Sequence, residues 1–164
     1  MKKILGVALV MALLLTSAGF AAAPAAVEAG KIGWGMFGGT PTMRYNFSNS
    51  MSGQLGLNYS TCSAAGATGS LSILGSMAWD IMKIGANTAT SGVMLNYSSN
   101  AGNTPNNNIT TVSWILGVET NLNSSLVVGF TVRPISYMSA AFGGATTTYM
   151  DFLNAAYVSA HIFL

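Results

Sequence analysis

From Met51 to Tyr59 the chain changes character at every step. Met51, Gly53, Leu55, Leu57 and Tyr59 fall on one parity, and Ser52, Gln54, Gly56 and Asn58 on the other. The same period returns further on, where Val112, Trp114, Leu116 and Val118 alternate with Ser113, Ile115, Gly117 and Glu119. A period of two sends successive side chains to opposite faces of a β-strand. Turn residues cut the chain into eight such runs, at about 31–39, 40–48, 51–60, 70–83, 88–98, 109–121, 125–138 and 147–164. The tight connections are Ser48-Asn49-Ser50, Ile84 to Asn87 and Leu122 to Ser124. The longer ones are Thr61 onward, Ser99 to Asn108 and Ser139 to Thr146, and the first hairpin turns sharply at Gly38-Gly39-Thr40-Pro41.

Charge changes the picture. Asp, Glu, Lys and Arg make up only 6% of the residues. The isolated charges Arg44, Asp80, Glu119, Arg133 and Asp151 all fall on the polar parity of their runs. A sheet with its polar face in water needs more charge than this. An unbroken apolar face opposite a sparsely charged one is the pattern of a barrel standing in lipid, apolar outside and polar inside. The fold class expected is therefore all-β, an eight-stranded antiparallel up-and-down transmembrane barrel. Backbone groups in hydrocarbon must be paired, so strand 8 is expected to close on strand 1. Pro134 cannot donate to a ladder and predicts a bulge that carries Tyr137 from the inner to the outer parity.

An eight-stranded barrel is just wide enough to be filled by its own side chains. The five charges are expected to form that filling. Closing the last hairpin near Met138 and Thr147 would put Arg133 almost opposite Asp151. Arg44, Asp80 and Glu119 would form a second cluster lower down, with Lys83 and His161 at its rim.

The first residues are a different kind of segment. Lys2 and Lys3 precede an apolar run from Ile4 to Leu15, and small residues follow to Ala26. This reads as a secretory signal peptide over about residues 1–22, cleaved between Ala21 and Ala26. Residues 23–30 would be a short periplasmic segment and residues 31–164 the barrel. The mature chain then carries Lys31, Arg44, Lys83 and Arg133 against Glu28, Asp80, Glu119 and Asp151, a net charge of zero. With no basic patch, nucleic acid is not an expected partner. The single Cys62 cannot form an internal disulfide and sits in a small-residue stretch expected on the cell exterior.

Leu57-Asn58-Tyr59-Ser60 recurs as Leu95-Asn96-Tyr97-Ser98, and Tyr137 follows about forty residues on. Each tyrosine closes a strand before a long connection. Tyr59, Tyr97 and Tyr137 are expected in an outer aromatic girdle, with Phe47 and Phe163 at the inner boundary. In the last strand Ala156, Val158, Ala160, Ile162 and Leu164 share one apolar face. On these features the chain resembles the OmpA/OmpX-type small outer-membrane β-barrels over about residues 30–164. The resemblance implies an address in the outer membrane of a Gram-negative-type bacterium, with membrane lipid and the barrel-assembly machinery as partners. It also implies that the last strand is an insertion signal. Family members usually end in Phe, whereas here Leu164 is terminal and Phe163 stands one place earlier.

Motifs that suggest chemistry fall away on inspection. Gly33 to Gly38 fits a G-x-G-x-x-G pattern, yet no helix or acidic residue follows at the required spacing. Small side chains on the inner face of strand 1 explain it better. Asp151, Ser159 and His161 share a strand face, but ten residues of strand separate Asp151 from His161 by roughly 33 Å, too far for a triad. One Cys and one His support no transition-metal cluster, and no cofactor is expected. The Asn-x-Ser/Thr matches at Asn46, Asn58, Asn96, Asn108 and Asn123 read as turn and interior asparagines. The leading expectation is a non-enzymatic outer-membrane protein with a structural or surface-interaction role. The alternative is a narrow channel or transporter for small or hydrophobic solutes, for which Ile115 and Ile135 would line a partly apolar interior. A lipid-modifying enzyme ranks third, for want of a catalytic group near the outer leaflet.

Overall fold

The fold is seen in a computed structural model describing residues 27–61, 68–101 and 106–164. The strands are β1 (Ile32–Phe37), β2 (Thr40–Ser48), β3 (Met51–Ser60), β4 (Ser70–Ile84), β5 (Asn87–Ser99), β6 (Asn108–Asn121), β7 (Leu126–Phe142) and β8 (Ala145–Phe163). Each is antiparallel to its sequence neighbour. β8 pairs with β1 from Phe163 against Gly33 to Ser159 against Phe37, so the eight up-and-down strands close a ring. The signal segment and Cys62 lie outside the described residues.

Two hairpins turn on glycine pairs. Gly38 and Gly39 have φ of 56° and 86°, and Gly143 and Gly144 have φ of 56° and 93°. Two-residue turns with positive φ match the twist of antiparallel strands, and glycine adopts them without a Cβ clash. The second pair corrects an expectation. The long loop foreseen from Ser139 to Thr146 is strand on both sides of a tight turn, and β7 and β8 are 17 and 19 residues long. Small residues and threonines suggested a loop. Threonine is β-branched, however, and continues a ladder readily once Gly143-Gly144 sets the hairpin. β3 ends and β4 begins, and β5 ends and β6 begins, at the end of the ring opposite the termini.

The β2–β3 register slips at Phe47, and three further irregularities decide which way side chains face. At Ile81 the β4–β5 register slips, from Asp80 opposite Thr90 to Met82 opposite Ala89. Residues three apart on a regular strand face opposite sides. The extra residue brings Asp80 and Lys83 to the same side, where Lys83 Nζ lies 3.2 Å from Asp80 Oδ2. At Pro134 the β6–β7 register slips between Trp114 opposite Ile135 and Leu116 opposite Val132. On β8 a compensating bulge falls at Leu153, a non-glycine residue with φ of 48°.

The ladder also climbs around the ring. Crossing from Trp34 through Met43, Leu55, Gly75, Leu95, Val112 and Tyr137 arrives at Met150, twelve residues from Ile162, which is Trp34's own partner on β8. That stagger is the shear a closed ring of tilted strands requires. The wall is not equally tall everywhere. β1 has 6 residues, and beyond Gly38 N–H donating to Val158 C=O no described strand pairs with β8 on that side. A notch therefore opens above the Gly38-Gly39 turn.

Candidate functional site

The interior is packed in three tiers. Nearest the termini, the Arg44 guanidinium holds the Glu119 carboxylate with two bonds, one from Nη1 to Oε1 and one of 2.8 Å from Nη2 to Oε2. β2 and β6 are not neighbours, so this pair reaches across the interior. His161 is almost fully enclosed beside it, its Nε2 2.9 Å from Thr42 Oγ1. Arg44, Asp80, Lys83 and Glu119 line one cavity of about 100 Å³ that opens at the terminus end. Arg44, Asp80, Glu119 and Lys83 thus share one space, but His161, expected at its rim, is enclosed and does not line it.

Phe163 departs from its expected place. It is only 3% exposed and points inward, packed with Val27 and Val127 and 6.0 Å from the Arg44 guanidinium. The β8 alternation requires this, because Ala156, Val158, Ala160, Ile162 and Leu164 all face outward. A Cβ on Gly33 would stand 2.9 Å from the Phe163 ring, so the glycine makes room for it. Val27 joins the same packing, and the segment before β1 is pinned by Ala29 N–H donating to Asn49 Oδ1.

Above this tier lies an apolar septum of Phe37, Leu74, Met94 and Ile115, with Tyr157 stacked on Phe37 at 4.9 Å. Sequence reasoning named Ile115 but missed the others. The available signal was parity, since each is a large apolar residue on a run's otherwise small or polar side. Ile135 was expected to line the interior beside Ile115. It faces outward instead, because the Pro134 bulge reverses the parity that follows.

The upper tier is a chain of hydrogen bonds. Ser113 and Ser136 hydroxyls are 2.9 Å apart, Ser136 Oγ donates to Asn154 Oδ1, and Asn154 Nδ2 donates to Asp151 Oδ2 at 3.4 Å. The expected juxtaposition of Arg133 and Asp151 fails here. Arg133 pairs with Ala155, and Asp151 pairs with Ser136. The tight Gly143-Gly144 turn and the Leu153 bulge displace the register from the one a long loop would give. Arg133 does face inward, with its guanidinium 5.3 Å from the Tyr157 ring centre.

The outer surface is the reverse of the interior. All three tryptophans, Trp34, Trp79 and Trp114, are exposed, as are Phe47, Tyr59, Tyr97 and Tyr137. Trp114 Nε1–H donates to Ser91 Oγ at 2.9 Å, so the outward indole is not left with an unsatisfied donor. Tyr59 pairs through Leu71 to Ser99, two residues above Tyr97, and Tyr97 pairs through Thr110 to Ser139, two residues above Tyr137. This steady descent offsets the climb of the ladder and brings the three tyrosines near one level. No group of three or more His, Cys, Asp or Glu side chains that could hold a metal occurs among the described residues. Asp151 and His161 sit at different tiers of β8, opposite Ser136 and Val127 respectively.

Comparison with protein-family models, with curated proteins and with solved structures finds no match for this chain.

Proposed function

We propose that the chain is an integral outer-membrane β-barrel with a structural or surface-interacting role and no enzymatic one. The observation that carries this reading is the sorting of side chains by face. Arg44, Asp80, Glu119, Arg133, Asp151 and His161 are turned into the ring, while most of the large apolar residues and all three tryptophans are turned out. Exposing such a surface to water is unfavourable at about 25 cal/mol per Å² of apolar area, whereas hydrocarbon accepts it. The tyrosine level would be the outer girdle and Phe47 part of the inner one. The outward face of Ala156 to Leu164 would be what the assembly machinery reads. The packed septum and the Arg44–Glu119 tie argue for a filled barrel rather than a conducting one.

Two measurements test this. Membrane fractionation should recover the protein with the outer membrane, in a form whose gel mobility changes on boiling. Recovery as a soluble periplasmic protein would refute the membrane reading. In planar bilayers the folded protein should give no discrete conductance steps, and reproducible steps would replace the structural role with a channel.

A further inference from the structure

Among the described residues, Arg133 is the one strand cation that the interior leaves without a counter-charge. It is 8% exposed, its Nε is enclosed without a hydrogen-bond partner, and its sole polar contact among the described residues is with the Tyr157 ring face. The other charges are accounted for. Arg44 holds Glu119, and Lys83 holds Asp80. Lys31 and Glu28 lie exposed at the terminus end. Asp151 bonds Asn154 and faces Ser136 in the register. The sequence between 62 and 67 and between 102 and 105 contains no acidic residue, so neither connection can supply a carboxylate.

The surroundings give this cation an approach. Tyr157 lies beneath it, stacked on Phe37 at the top of β1, and a Cβ on Gly38 would meet the Tyr157 ring at 2.3 Å. Phe37, Tyr157 and Gly38 are therefore the floor of the notch where β8 loses its neighbour. Guanidinium is the side chain that matches a planar oxyanion with two parallel bonds. A buried charge without a partner is strongly disfavoured, and an anion entering from the notch or the open end would remove that cost.

We propose that Arg133 is the anchor of an anion-binding site in the upper interior, taking a carboxylate or phosphate group. The test uses the protein folded in nonionic detergent and labelled with 15N-arginine. Only two arginines are present, and they are distinguishable by ring contacts, Arg133 to Tyr157 and Arg44 to Phe163. At constant ionic strength, inorganic phosphate should shift the Arg133 guanidinium signals saturably and leave those of Arg44 in place. A decanoate arm distinguishes the source. Tighter binding of decanoate than of phosphate assigns the group to a lipid-like amphiphile, and the reverse assigns it to a free anion. Arg133→Gln should weaken binding at least about tenfold, and Arg133→Lys should weaken it less. Arg133 signals that stay put, or that move in step with those of Arg44, would overturn the proposal in the unmutated protein. So would binding that appears only in Asp151→Asn, because Asp151 would then be the true partner.

Discussion

At the scale of single residues, Arg44 and Glu119 set the energetic stakes of the interior. Their side chains are largely enclosed, and each satisfies two bonding positions of the other. Removing one leaves the other as an uncompensated charge, which typically costs about 3–5 kcal/mol. Glu119→Ala should therefore lower unfolding stability by that amount in urea titrations of the folded protein in vesicles. Arg44→Ala added to it should cost little more. Losses that simply add would show that the pair is not formed. Asp151 gives the contrast, since its register partner is Ser136 and it makes one long bond to Asn154. Asp151→Ala should fall within about 1 kcal/mol of the parent in the same titration. Its effect should add to that of Arg133→Ala, since no direct pair couples them.

At the scale of elements, bulges rather than strands decide which face a residue occupies. Before Pro134, Thr131 and Arg133 face inward; after it, Ser136 is fully buried and Tyr137 is 50% exposed. This was legible in the sequence, because a proline in a strand interior cannot keep its ladder and the residues beyond it read correctly only after a one-residue slip. The Leu153 bulge was not legible. Nothing in Phe152-Leu153-Asn154 marks a break, and the positive φ at Leu153 answers a register imposed by β7. The length of the last hairpin is hidden for a related reason: small residues and threonines flank Gly143-Gly144 on both sides, and nothing local marks the pair as the whole turn. The facing can be measured. In a Cys62→Ser background, spin labels at Tyr137→Cys and Ile135→Cys should show high accessibility to oxygen dissolved in the bilayer. A label at Ser136→Cys should show little. Equal accessibility at Ser136 and Tyr137 would mean that the strand keeps a single parity and the bulge is absent.

At the scale of the whole molecule, the alternation of apolar and polar residues carried the ring, its eight strands and the inward placement of charge. It did not carry the septum. Phe37, Leu74 and Met94 sit on the parity expected to be polar, and only their convergence from β1, β4 and β5 makes them a layer with Ile115 of β6. Convergence of that kind depends on the shear, which no local stretch of sequence states. The layer has a physical consequence. Water passing along the interior would have to displace closely packed apolar side chains, and a dry constriction blocks ions without any charged gate. Met94 is central, being 2% exposed and among the largest fully enclosed side chains. Truncating a buried methionine costs about 2–5 kcal/mol and leaves a cavity wherever the neighbours cannot close in. Here the ring wall holds those neighbours apart. Met94→Ala should therefore lose stability in that range, and Met94→Ala with Leu74→Ala should let small ions through. In planar bilayers the parent should be silent and the double variant should give small, brief conductance steps. A double variant that folds, loses stability and stays silent would mean that the lower tier of Arg44, Glu119 and Phe163 seals the interior by itself.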